Sequence, residues 1–149
     1  MKQSSGLTLI VKTVTRLSVW VILLYGAYII LHGHLTPGGG FAGGVIIALA
    51  FLNVLLAYGE NAIKRWLNIE FLHDIEASSA ALFLAIGILG IAIGGGFLAN
   101  FLSKGELFRL LSAGTIPILN IIIGAKVSMA LFVVIWSLAV VRVSKGGGE

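Results

Sequence analysis

One lysine stands alone in a long apolar run. Between Leu110 and Val141 the only Asp, Glu, Lys or Arg is Lys126. It follows Pro117 by nine residues, roughly 13 Å along a helix that rises 1.5 Å per residue. That depth is near the middle of a hydrocarbon layer about 30 Å thick. A charge there costs from about 2.5 to more than 10 kcal/mol unless it is paired or hydrated. From mid-helix the stem hardly reaches either headgroup layer, so an ion path or a paired structural role is read ahead of snorkelling. The six acids, Glu60, Glu70, Asp74, Glu76, Glu106 and Glu149, fall outside the apolar spans. Lys126 is therefore expected to be neutral, or to be balanced by a neighbouring subunit or a water-filled cavity.

Other polar groups in the apolar runs are few. Asn120 lies about 120° from Lys126 around a common helix, so the two do not share a face. Asn120 and Asn53 suit hydrogen bonds between helices, with a water or ion path as the alternative. His32 and His34 flank Gly33. Two histidines at that spacing reach one metal only from extended backbone, and a zinc site wants three or four ligands. Interfacial hydrogen bonding is the favoured reading, with proton hand-over into a path as the functional one.

The glycines offer a third kind of chemistry. Pro37, Gly38, Gly39, Gly40, Gly43 and Gly44 open an apolar stretch. A phosphate loop would need a preceding strand and a following Lys-Ser/Thr, and neither is present. Gly40 and Gly44 match the small-xxx-small spacing that lets helix backbones approach in lipid. Backbone groups exposed to an ion at a broken helix end are the functional alternative. Gly90 and Gly94 repeat the spacing and are expected to pack against partner helices. Gly95 and Gly96 follow them and weaken that helix end, each by roughly 1 kcal/mol relative to Ala in water.

The elements that position these residues follow from composition. Of 149 residues, 58% are hydrophobic and 11% charged, against about 25% charged in soluble domains. No charged residue occurs from Leu17 to Gly59 or from Ala77 to Ser103. A span needs roughly 20 mostly apolar residues, and lipid requires backbone groups to bond within the segment. The first run holds two spans, divided by the Pro-Gly turn after His34. The pattern predicts an all-α integral membrane bundle of four transmembrane helices, about Val14–His32, Phe41–Tyr58, Ser78–Leu98 and Pro117–Val141. One domain over residues 1–149 is expected, with a disordered tail over 144–149. The basic N-terminal stretch does not read as a cleaved signal peptide, because its apolar part is long and no small-x-small site follows before the glycines.

Cysteine is absent, which excludes disulfides and thiolate chemistry. The +4 net charge and pI near 9.7 reflect basic residues at helix ends rather than nucleic-acid binding. Lys2, Lys12, Arg16, Lys64, Arg65, Arg142 and Lys145 fall on one side of a four-helix layout, Lys104 and Arg109 on the other. The positive-inside rule then puts both termini in the cytoplasm of a multi-pass protein of the cell membrane. The segment Glu60–Ala77 reads as a short amphipathic piece, and Leu107–Leu111 as a brief helix at the outer surface.

The stretch Gly33-His34-Leu35-Thr36-Pro37-Gly38-Gly39-Gly40-Phe41-Ala42-Gly43-Gly44 resembles the G-H-x-x-P-G-G-G-F-x-G-G signature of the MnhB (MrpB) family. This family comprises the B-type subunits of Mrp-type Na⁺/H⁺ antiporters and their homologues in membrane-bound hydrogenase-type complexes. The signature covers the first two helices, and the four-helix layout agrees along the chain. The resemblance implies a scaffold subunit and, as a further role, the lining of a cation route. Its expected partners are other Mrp-type subunits, which resemble the pumping subunits of complex I. It also implies Na⁺ and H⁺ as transported ions, no cofactor and no catalysis by this chain alone. Gly114–Asn120 and Gly124-Ala125-Lys126-Val127 resemble archaeal and hydrogenase-linked forms, which adds hydrogenase-like redox subunits as partners. Bacterial antiporters tend to place an acid in this last helix, and none stands here. A self-sufficient homo-oligomeric transporter would need more polar residues in the spans, and a membrane enzyme has no constellation to act through.

Overall fold

A computed structural model describes residues 8–106, 109 and 112–146 of the chain. It is all-helical: α1 Leu9–His32, α2 Gly40–Tyr58, α3 Glu60–Trp66, α4 Ile69–Gly94 and α5 Ile116–Gly146. All but the seven-residue α3 are long and apolar enough to cross a membrane.

The breaks between helices have local causes. After α1, the Thr36 hydroxyl donates to the His32 carbonyl at 3.2 Å, and Pro37 cannot continue a helix. Gly38 and Gly39 then turn the chain at φ +150° and +122°, a region closed to side chains with a Cβ. Gly59, at φ +81°, separates α2 from α3. Asn68 starts α4, its side-chain oxygen accepting from the Glu70 N–H at 3.0 Å. This is an N-cap with an acid in the first turn.

Boundaries of three expected spans are corrected. The third span begins at Ile69 rather than Ser78 and ends at Gly94 rather than Leu98. Its acidic first turns resemble a loop by charge, yet the cap at Asn68 and the dipole favour acids there. Gly95, left-handed at φ +77°, stops the helix. The helix of the fourth span, Ile116–Ala139, continues to Gly146, so 144–146 end a helix rather than form a disordered tail; 147–149 lie outside the described residues. Most of the brief helix expected at Leu107–Leu111 also lies outside them. α1 starts five residues before the expected Val14, since Lys12 carries good helix propensity and one lysine does not stop a helix.

α2 lies between α1 and α5, and α4 packs on the far side of α5. Leu55, Ile63, Leu72, Phe132, Val133 and Trp136 form the buried core, at the end of the bundle where α3 lies. At the opposite end the helices meet through glycines.

Candidate functional site

The glycine end is built from backbone contact. A Cβ on Gly43 would strike Ile30 and come within 2.7 Å of the Gly26 carbonyl. One on Gly44 would sit 2.8 Å from the Gly124 carbonyl, and one on Gly40 would overlap the Asn120 carbonyl. Gly40 and Gly44 therefore seat α5, while Gly43 seats α1. Gly26 and Gly124 complete the contact, though neither stands in a glycine pattern that marks it in the sequence.

Asn120 is held in this junction. Its Oδ1 accepts from the Gly40 N–H at 3.4 Å, and a Cβ on Gly33 would meet its Nδ2 at 2.9 Å. The N-cap Gly39 has no side chain to satisfy the first N–H groups of α2. An asparagine from α5 serves instead.

Among the described residues, Gly90 and Gly94 face the returning chain rather than another helix. Added Cβ atoms there would meet Ala99, and one at Gly87 would strike the Phe97 ring. The chain reverses after Gly95 and lies back on its own helix, with the Leu98 N–H donating to the Gly87 carbonyl at 3.4 Å. Within this chain, these two glycines therefore seat the returning segment.

The two histidines go separate ways. His32 stacks on Tyr28 with ring centroids 4.1 Å apart, and its Nδ1 lies 3.1 Å from the Tyr28 carbonyl. His34 Nε2 is 3.3 Å from the Arg109 carbonyl, tying the glycine turn to the long third loop. Among the described residues no group of three His, Cys, Asp or Glu is placed to hold a metal ion. Asn53 accepts from the hydroxyl of Thr15 at 3.5 Å, between α1 and α2. Thr15 is buried.

Lys126 faces the other way. Asn120, Gly124 and Val127 turn toward α2, whereas Ile122 and Lys126, one turn apart, turn toward α4. Lys126 Nζ lies 3.6 Å from Glu76 Oε1, which corrects the expectation that no acid of this chain reaches the lysine. Glu76 reads as a loop residue when charge alone sets the start of the third span; the Asn68 cap is the signal that restores it to the helix. His73, one turn earlier, has Nδ1 4.0 Å from Glu76 Oε2. A small apolar cavity of ≈ 250 Å³ adjoins the lysine, lined by Ala80, Phe83, Ile122 and Ile123. The pair is not sealed by this chain: the Lys126 and Glu76 side chains keep 44% and 30% of their accessible surface.

The site residues thus fall into separate places. Asn120 and the Pro37–Gly44 segment share the glycine junction, Asn53 pairs with Thr15, and Lys126 pairs with Glu76. The arrangement can hold helices together at one face of α5 and present a charged pair at another.

Residues 10–133 match the family described as "Domain related to MnhB subunit of Na+/H+ antiporter". The chain belongs to the MnhB family. A Staphylococcus aureus protein named as a putative antiporter subunit, mnhB2, is 31% identical over 94% of the MnhB chain and 95% of its own length. A Bacillus subtilis protein named as a Na(+)/H(+) antiporter subunit is 36% identical over 62% of the chain and 64% of its own length. An uncharacterised protein of Methanocaldococcus jannaschii is 40% identical over 77% of the chain, which spans only 45% of that relative. Among solved structures, a chain of an archaeal respiratory complex, the membrane-bound sulfane sulfur reductase, superposes with a TM-score of 0.78 at 33% identity. That match covers 93% of the MnhB chain and 60% of its counterpart.

Proposed function

We propose that this chain is the B-type subunit of a multisubunit Mrp-type Na⁺/H⁺ antiporter module, scaffolding its neighbours and placing Lys126 beside a cation path. The observation that carries this reading is the Lys126–Glu76 pair. It joins two apolar helices yet stays partly open on the bundle surface. Charged groups inside a membrane face a bundle interior or a water-filled cavity, because lipid contact is expensive. A neighbouring subunit or a hydrated path at the α4–α5 seam meets that demand. His32, His34, Asn53 and Asn120 act in this reading as hydrogen-bonding groups that hold the scaffold. Catalysis, where the assembly performs any, belongs to other subunits. Both termini lie in the cytoplasm, in line with the basic residues of the α3 side.

The module works within a redox-driven respiratory complex of the membrane-bound hydrogenase or sulfur-reductase kind, with iron–sulfur subunits as partners. Supporting this setting is the likeness to a chain of an archaeal respiratory membrane complex. The second reading is a stand-alone antiporter, favoured by the near end-to-end match to the staphylococcal protein. Purification through a tag on this subunit in mild detergent, with mass spectrometry of what accompanies it, separates the two. Redox subunits are the expected company; antiporter-type subunits alone would favour the second reading. Recovery without any such partner, with ion flux through the chain alone in liposomes, would overturn both. Lys126→Met is expected to leave complex yield unchanged and to impair coupled transport. Normal transport at normal yield would remove the ion-path role.

A further inference from the structure

A groove of ≈ 570 Å³ opens between α1, α2 and α3, within the range of about 300–1,000 Å³ typical of ligand sites. Its walls are apolar and aromatic, with Trp20, Leu23, Phe51, Val54 and Trp66 along them and Arg16 at one side. From Arg16 to Leu23 α1 rises about 10 Å, a depth that stays within one leaflet of a bilayer whose apolar core is about 30 Å thick. The groove is therefore as deep as part of one acyl chain, and it stops short of the opposite leaflet.

The mouth of the groove is basic. Lys12 and Arg16 stand one helical turn apart on α1. Lys12 Nζ lies 5.9 Å from the centroid of the Tyr58 ring, which belongs to the groove wall. Among the described residues Arg16 forms no ion pair, whereas Lys64 on α3 is taken up by Glu60. Trp66 and Leu67 also border a second depression of ≈ 630 Å³ that carries Lys64, Arg65 and Glu70. Trp20, one turn deeper than Arg16, is exposed along the apolar wall. Trp66 is exposed at the end of the bundle, and tryptophan favours the level of the headgroups. Basic residues at that level attract anionic lipids.

We infer that this groove binds an anionic phospholipid, its phosphate at Lys12 and Arg16 and one acyl chain along Trp20, Leu23 and Val54. Charge selects the headgroup, and the apolar walls hold the chain. Among the described residues none of α4 and none of α5 lines the groove, so the assignment is independent of the transport role of Lys126.

The test uses membranes containing the full chain with its natural partners. A phosphatidylglycerol with a photoreactive acyl chain is added, and labelled peptides are mapped. Label is expected on the α1 and α2 peptides around Trp20, Leu23 and Val54. Excess phosphatidylglycerol should compete it away, and phosphatidylcholine should not. Neutralising Arg16 and Lys12 (R16Q, K12Q) should lower labelling roughly fivefold each, while Arg16→Lys should retain most of it. The competition in the unaltered chain needs no variant and stands if the variants fail to assemble. Equal labelling by a photoreactive phosphatidylcholine would overturn the proposal, leaving an ordinary lipid contact. Crosslinks from these positions to another subunit, without lipid label, would overturn it by showing a protein helix in the groove.

Discussion

The two faces of α5 are built on opposite principles. Toward α2 it presents Gly124 and Asn120, and the opposing Gly40 and Gly44 bring backbone against backbone, with an added Cβ at Gly44 only 2.8 Å from the Gly124 carbonyl. Toward α4 it presents Lys126, reaching Glu76 across 3.6 Å beside a cavity. α2 buries 39% of its apolar window inside the chain and α4 only 17%. In lipid the driving force for helix association is close packing and hydrogen bonding rather than escape from water. The glycine face therefore carries cohesion. The α4 face has spare surface and spare charge, which is what an interface with other subunits requires.

That contrast predicts unequal tolerance. Gly43→Val should be the most damaging change considered, because its Cβ would run into Ile30 and lie 2.7 Å from the fixed Gly26 carbonyl. Overpacking of this kind costs about 3 kcal/mol, and little folded subunit should be recovered from membranes. Gly96→Ala is the matched control, since nothing lies within 4 Å of its Cβ position. Fluorescence-detected size exclusion of both variants measures the difference. Equal recovery would mean that the glycine junction does not hold the bundle.

On the other face the damage should appear in transport rather than in yield. Glu76→Gln leaves Lys126 without its acid, and coupled transport should fall at least about tenfold, as expected of a functional intramembrane charge. Exchanging the two residues, E76K with K126E, should recover part of the activity, since a double-mutant cycle isolates the pair. Antiport by inverted vesicles, followed with a pH-sensitive dye, provides the readout. Strictly additive effects of the two single changes would dissolve the pair.

The sequence shows the glycine face far better than the charged one. A Pro-Gly turn and small residues four apart are local patterns, and Gly40 and Gly44 do meet α5 as their spacing suggests. Gly90 and Gly94 have the same spacing and a different use, because Gly95 reverses the chain onto its own helix. Spacing cannot tell which backbone arrives. The Glu76–Lys126 pair joins residues fifty apart in the chain, and a charge-based boundary hides the acid. Asn68, a capping residue ahead of Glu70, is the one local sign that α4 starts early enough to carry it. Thr15 is hidden in a similar way. With a helix start at Val14 it would stand at the membrane edge, whereas with α1 from Leu9 it lies well inside the helix, opposite Asn53.

A smaller effect is expected where a side chain assists the backbone. Asn120→Ala removes the oxygen that accepts from the Gly40 N–H. Loss of a helix cap costs about 1 kcal/mol, and the bare N–H has no substitute on Gly39. The variant should assemble with a lowered thermal midpoint. An unchanged midpoint for Asn120→Ala would show that the cap contributes nothing.

The smallest change is expected at the Thr15–Asn53 contact. The bond is long, at 3.5 Å, and side-chain hydrogen bonds between membrane helices average only about 0.6 kcal/mol. Thr15→Val keeps the shape of a buried side chain and removes its donor, so Asn53 loses one partner while α1 and α2 remain locked through Gly26 and Gly43. Thermal stability should drop by a degree or two at most, with transport intact. A large loss of transport at normal stability would mean that this polar pair serves an ion or water route. The division between a cohesive glycine side and a functional charged side would then have to be redrawn.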